Sequence, residues 1–209
     1  MNEFFNGSIV GIVQTIAGHP LDTIKTNLQF NRKHTGLYKG ITYPLIGSGI
    51  INSCFFGFNN QLQKYNKNYF VTGFGAGLLT APITNIFDLY KIRTQIGRTG
   101  KQIFRVNPMR GFIGTAARES ISMSLYFGTY HYLLNYTNPF ISGALTGVLC
   151  WTATYPIDVI KTRVQSDKDL TYREAYKQKK LWSGFRYCIA RAIIVNALGF
   201  YVYDKLTNR

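Results

Sequence analysis

Acidic residues are scarce in this sequence. Nine Asp and Glu stand against 24 Lys and Arg, for a formal charge of +15. That balance points to anionic surroundings: nucleic acid, a membrane surface or acidic solutes. Cysteine is also scarce. Cys54, Cys150 and Cys188 all lie within apolar segments and show no CxxC spacing, which excludes a disulfide framework or a thiolate metal site and leaves free thiols packed in helices. His19, His34 and His131 are scattered, so no metal site is expected. There is no P-loop, dinucleotide fingerprint or nucleophile elbow, so the reading is of a non-enzyme without a cofactor. Residues 1–5 lack a basic leader region, and no signal peptide is expected. No Gly/Ser linker or disordered tail is evident, so 1–209 reads as a single domain.

What is abundant is aromatic residues and glycine. Fifteen Tyr, fifteen Phe and twenty Gly suit packed membrane helices better than helices in water, where Gly is destabilising. Six apolar segments are readable, at roughly 4–28, 41–65, 70–95, 111–136, 139–165 and 184–206. Each has about the 20 residues that span a bilayer. Each also carries polar or ionic residues on part of its surface, as helices lining a polar cavity would. The expected class is therefore an all-α membrane protein of six transmembrane helices.

One motif organises these segments. Pro156-Ile157-Asp158-Val159-Ile160-Lys161 is followed by Gln165; Pro20-Leu21-Asp22-Thr23-Ile24-Lys25 by Gln29; Ile86-Phe87-Asp88-Leu89-Tyr90-Lys91 by Gln95. Acid and base are three apart each time, and the lysines are separated by 66 and 70 residues. The chain therefore reads as three tandem repeats, about 1–66, 67–137 and 138–209, arranged with pseudo-threefold symmetry around a central cavity. Three small-xxx-small pairs keep register with the motif: Gly7/Gly11, Gly73/Gly77 and Gly143/Gly147, each second glycine nine residues before the motif's first position. They predict close helix packing in every repeat. The even segments open on Tyr38-Lys39-Gly40, Met109-Arg110-Gly111 and Trp182-Ser183-Gly184.

The connections after the odd segments hold twelve of the 24 basic residues, whereas the opposite turns offer only Lys67. This is the one-sided charge bias of a membrane hairpin bundle, and it accounts for much of the basicity without nucleic acid.

Three acids and three bases at equal spacing invite a ring. Lys25, Lys91 and Lys161 are expected to reach the acid of the next repeat among Asp22, Asp88 and Asp158, closing one mouth of the cavity. Gln29, Gln95 and Gln165 would brace the ring, and Pro20 and Pro156 would kink their helices inward.

These motifs resemble the mitochondrial carrier family (solute carrier family 25), whose signature is P-x-[DE]-x-x-[KR] on odd helices with an aromatic-basic-glycine element before each even one. The resemblance runs over all three repeats and marks a shortened, divergent member. It implies alternating access between two gates, a monomer in the mitochondrial inner membrane, both termini on the cytosolic side, and a small-molecule solute as cargo. It places the acid–lysine ring at the matrix gate and anionic lipid such as cardiolipin at helix ends. Only eight residues lie between Gln29 and Tyr38 and thirteen between Gln95 and Met109, so the short matrix helices are expected mostly in the third repeat, around 172–180. In register with the family's second gate stand Asn59-Asn60 with Gln63, Tyr130-His131 with Leu134, and Tyr203-Asp204 with Thr207. None is an ion pair, so the resting state is expected to open to the cytosol.

By position, the family's substrate contacts fall on Gly47, Arg118-Glu119 and Arg191. Arginine binds a carboxylate or phosphate in bidentate fashion and an adjacent acid receives an amine. The resemblance at these residues is closest to amino-acid and carnitine-type carriers. A nucleotide or other anionic metabolite, and a carrier fold that no longer transports, remain alternatives. So does a purely internal pairing of Arg118 or Arg191 with Glu119. Asn52 and Asn196 line the cavity or bond helix to helix.

Overall fold

The computed structural model describes residues 2–29, 36–98 and 100–207, with the backbone alone for 2–10, 139–140, 196–197 and 199–207. Eight helices follow one another: α1 (Asn2–Gln29), α2 (Thr42–Gln63), α3 (Tyr69–Gln95), α4 (Lys101–Phe104), α5 (Phe112–Leu133), α6 (Pro139–Ser166), α7 (Tyr172–Lys177) and α8 (Phe185–Thr207). No strand occurs among the described residues. The six long helices end within three residues of the apolar segments. Two odd helices start on side-chain caps: Asn68 Oδ1 accepts from the Phe70 amide and Asn138 Oδ1 from the Ile141 amide. The second repeat keeps a single turn of connecting helix, α4, and the third keeps α7. The first repeat's connection, with His34, lies outside the described residues.

Burial is inverted relative to a water-soluble domain. Among the described residues the fully buried set holds 14 apolar and 24 polar or charged side chains, while Phe56, Phe74, Leu78, Ile113 and Ile193 stand outside. An interior of Thr, Asn, Gln, Lys and Asp under an apolar exterior is the arrangement a lipid-facing bundle requires. Apolar clusters form where neighbours meet, one around Phe55, Ala76 and Phe127, another around Tyr155, Val159 and Cys188. Of the described helices only Tyr69–Gln95 is long and apolar enough to cross a membrane by length and composition alone. The other long helices carry ions and amides along their length, which lowers their hydropathy.

Helices α3 and α5 press together most closely. A Cβ on Gly73 would stand 2.5 Å from the Met123 carbonyl oxygen, and one on Gly77 2.6 Å from that of Glu119. The other small-residue pairs do not behave this way. Gly11 and Gly147 have nothing within 4 Å, and Gly143 only a Tyr130 ring atom at 4.0 Å. Gly7 lies outside the described side chains; among the other glycines of these pairs close packing is found in the second repeat alone, and α1 on α2 and α6 on α8 touch only sparsely.

Each even helix is entered through a left-handed glycine: Gly40, Gly111 and Gly184 have φ of +82°, +81° and +83°. Space is short there too. Gly40 and Gly184 lie 3.2 Å, measured from an added Cβ, from the carbonyls of Lys91 and Lys25. Both the φ and the approach require glycine. These turns therefore set the height of the even helices against the lysines of the neighbouring odd ones.

Candidate functional site

The three motif acids and lysines meet at the centre. Lys25 Nζ lies 2.6 Å from Asp158 Oδ2, Lys91 Nζ 2.7 Å from Asp22 Oδ2, and Lys161 Nζ 2.5 Å from Asp88 Oδ2. Each lysine pairs with the acid of the preceding repeat, the reverse of the expected direction. Three residues advance an α-helix by about 300°, so acid and base face opposite neighbours about 60° apart. Which neighbour receives the base depends on the sense in which the odd helices circle the axis, and spacing along one helix does not carry that sense. Lys25 is further held over the rings of Trp151 and Tyr155, at 4.9 and 5.0 Å.

The glutamines sit one turn beyond the lysines and reach the same neighbours. Gln95 Nε2 donates to Thr23 Oγ1 at 3.2 Å, and Thr26 Oγ1 donates to Gln95 Oε1 at 3.1 Å. Gln165 Nε2 donates to Asn85 Oδ1 at 2.8 Å. Gln29 Nε2 reaches Tyr155 Oη at 3.5 Å. These bonds run to Thr23, Thr26, Asn85 and Tyr155, so the glutamines form a second layer stitching helix to helix. Helices α1, α3 and α6 run on through Pro20, Pro82 and Pro156.

A further threefold position escaped sequence reasoning. His19, Asn85 and Tyr155 each stand three residues before a motif aspartate, and each bonds the residue ahead of a left-handed glycine. His19 Nε2 lies 3.1 Å from the Lys39 carbonyl, Asn85 Nδ2 donates to that of Arg110 at 3.3 Å, and Tyr155 Oη to that of Ser183 at 2.7 Å. The same turns cap the next odd helix: Arg110 Nε donates to the Val164 carbonyl at 3.0 Å and Ser183 Oγ to that of Leu28 at 3.1 Å. The available signal was a polar residue at one register in all three repeats. It is obscured because histidine, asparagine and tyrosine share no chemical class.

Above the ring lies a cavity of about 180 Å³ whose lining includes the ring, Trp151, Arg118 and Arg191. Arg191 Nε is 2.8 Å from Asp22 Oδ1. Arg118 contacts Glu119 and lies 3.7 Å from both Asp88 and Asp158. Every ring carboxylate therefore faces a lysine and an arginine. Gly47 and Glu119 are not among the lining residues. Gly47 is pressed against the Phe87 ring, and Glu119 is buried behind Arg118. The most open charged groups at the site are the side chains of Arg191, 28% exposed, and Asp88, 27%; Lys161 is 2% exposed. Such a site can hold a carboxylate and an ammonium group a few ångströms apart. Asn196 lies outside the described side chains, and Asn52 makes no contact that bears on the cavity.

At the opposite end no salt bridge occurs among the described residues. Asn59 is buried with Oδ1 unpartnered, and His131 stacks on Tyr69 with ring centroids 3.6 Å apart. The side chains of Tyr203, Asp204 and Thr207 lie outside the described ones.

Comparison with known proteins places this arrangement. The family model described as "Mitochondrial carrier protein" matches residues 1–36 and 132–209. A mitochondrial basic amino acids transporter of Rattus norvegicus is 30% identical over 79% of this chain and 71% of the relative. A glutamate/glycine mitochondrial carrier of Schizosaccharomyces pombe is 26% identical over 99% of this chain and 93% of its own length. A mitochondrial arginine transporter of Arabidopsis thaliana is 26% identical over 97% and 89%. The chain belongs to the mitochondrial carrier family, multi-pass proteins of the inner membrane that move small solutes and are not enzymes.

Proposed function

We propose that the chain is a six-span alternating-access carrier of three repeats, 1–66, 67–137 and 138–209, that moves a small amino acid or carnitine-like zwitterion. The acid–lysine ring is its matrix gate, Gln29, Gln95 and Gln165 its braces, and the prolines its bends. The observation that carries the substrate reading is the size and charge of the cavity above the ring. About 180 Å³ is below the range of sites that take drug-sized ligands, and the most open charges are one cation and one anion. The solute carboxylate binds Arg191, whose Nη atoms carry no hydrogen bond among the described residues, and the ammonium group lies toward Asp88. Glu119 holds Arg118 in place between Asp88 and Asp158. Relatives named for basic amino acids, arginine and glutamate/glycine support an amino acid as cargo.

The site also favours a second reading. Counting Glu119, four acids face five bases, so one positive charge is left over and a solute with net negative charge gains from it. This favours acidic or neutral amino acids over basic ones, and keeps a small anionic metabolite as the alternative. The test is uptake into proteoliposomes across acidic, neutral and basic amino acids, carnitine and nucleotides. Arg191→Gln is expected to raise KM at least about tenfold, with Arg191→Lys partly restoring it. Uptake of nucleotides alone would overturn the zwitterion reading. No uptake by correctly inserted protein would establish a carrier fold without transport.

A further inference from the structure

A second cavity lies on the other side of the ring, beneath it. Its volume is about 470 Å³, and Arg98, Arg163, Asp167, Gln178, Lys180 and Ser183 are part of its lining. Three cations there face one carboxylate, and that carboxylate is engaged by its own turn, where the Asp169 amide donates to Asp167 Oδ1 at 3.2 Å. Gln29 is the one side chain common to both cavities.

Two observations bear on what this cavity can hold. Arg163 is only 5% exposed, so its charge is held at the cavity wall with little water around it. Its Nη1 donates to the carbonyls of Ala175 and Lys179, both at 2.9 Å, and its Nη2 reaches that of Lys180 at 3.5 Å, so the guanidinium is fixed. Secondly, Lys179 and Lys180 both adopt left-handed backbone, with φ of +52° and +50°. Two adjacent non-glycine residues in that region are strained, and such strain concentrates where a side chain must be aimed. Here the turn held by Arg163 carries Lys180 into the cavity wall.

We propose that this lower cavity is an anion-binding vestibule, holding a free carboxylate- or phosphate-bearing solute on Arg98, Arg163 and Lys180 on the far side of the ring from Arg191. It gives the cargo's anionic group a second station, with Gln29 as the partition. That use rests on the carrier reading, but binding at the vestibule does not require transport and is measured separately.

The chain's two tryptophans sit one by each cavity: Trp151 lines the upper one, and Trp182 lies between the lower-cavity residues Lys180 and Ser183. With Trp151→Phe the emission reports the lower cavity, and with Trp182→Phe the upper. The full chain is placed in neutral-lipid nanodiscs and titrated with inorganic phosphate and with succinate. The expected result is a saturable change in Trp182 emission, weakened about tenfold or more by Arg98→Gln with Lys180→Gln. Both are exposed, so the pair is chosen over Arg163→Gln, which would release the carbonyls of Ala175 and Lys179 as well. The proposal is overturned if Trp182 shows no saturable response, or if the double substitution leaves it unchanged. It is overturned equally if only Trp151 responds, or if the change appears on adding anionic lipid and not on adding phosphate.

Discussion

Removing one lysine from the ring tests how the three pairs divide its stability. Lys161 is the most buried, at 2% exposure, and sits 2.5 Å from Asp88. Lys161→Met keeps most of the apolar stem and deletes the charge. Stripping one partner from a buried ion pair costs about 3–5 kcal/mol. Asp88 is not left alone, however, because Arg118 Nη2 stands 3.7 Å away. By the inverse distance dependence of Coulomb's law, that contact retains about two-thirds of the attraction. A quarter of the Asp88 side chain also meets solvent. The expected loss is therefore about 2 kcal/mol, or about 4–8 °C in Tm for a chain of this size. Lys91→Met should cost less, about 1 kcal/mol and 2–4 °C, because Lys91 and Asp22 are each about a fifth exposed and Arg191 stays on Asp22. Unfolding can be followed with a thiol-reactive dye, since Cys150 and Cys188 are free and buried. A double-mutant cycle with Asp88→Asn should give a coupling of about 1 kcal/mol or more. Additivity of Lys161→Met and Asp88→Asn to within about 0.5 kcal/mol, or a larger loss from Lys91→Met, would refute the reasoning.

Further tests address other layers. Gly77→Ala drives a methyl into the Glu119 carbonyl and should destabilise by about 1–3 kcal/mol, whereas Gly147→Ala meets open space and should be neutral or stabilising by up to about 1 kcal/mol in the same dye assay. Gln29→Ala, which removes the side chain shared by both cavities, should raise substrate-independent leak from proteoliposomes more than Gln165→Ala does. At α7, Thr171 and Glu174 form a capping box, and its hydrogen bonds hold the Glu174 carboxyl below its ordinary range. A lowered folded-state value means that the box contributes fully above the usual glutamate range and is lost as pH falls through the lower one. Hydrogen exchange in α7, corrected for intrinsic rate, should therefore lose protection on acidification, and Thr171→Ala should remove most of that pH dependence.

The ring was legible because it is written three times: Asp22, Asp88 and Asp158 recur with their lysines at constant spacing, and only a shared structural demand keeps three such copies in step. What spacing along one helix could not supply was the relation between helices. The direction of pairing depends on the circuit of the odd helices around the axis, and no residue encodes it. The three small-residue pairs read alike, yet only Gly73 and Gly77 touch a neighbouring backbone. Local sequence shows where a close approach is possible, whereas the packing of α3 on α5 decides where it happens. Glu119 was read with Arg118 as a substrate contact from the family's register. On a helix adjacent residues point about 100° apart, so when Arg118 faces the ring Glu119 turns into the wall. His19, Asn85 and Tyr155 were missed for a related reason: the shared feature is a donor aimed at one carbonyl, and three different side chains can supply it.

Departures from threefold symmetry occur on both sides of the ring, and above it two arginines serve three aspartates. Above it, each aspartate meets a lysine and an arginine. Below it, the repeats diverge. Asn27, Arg93 and Arg163 occupy the same register two residues past the motif lysines, but only the arginines find carbonyl partners among the described residues, Arg93 on Gln102 and Arg163 on Ala175 and Lys179. The second repeat answers with a single turn, α4, and the third with α7 and a strained lysine turn. The lower cavity lies among these divergent connections. In the glutamine layer the longest bonds are Gln165 to Thr115 and Gln29 to Tyr155, both at 3.5 Å; Gln165 also holds Asn85 at 2.8 Å, so the less supported is the bond from Gln29 to Tyr155. That bond joins α1 to α6, across the seam where the first repeat meets the third. In the ring that same seam is held by Lys25 on Asp158 at 2.6 Å and over the Trp151 and Tyr155 rings, so parting it requires breaking this lysine pair and not the glutamine bond alone.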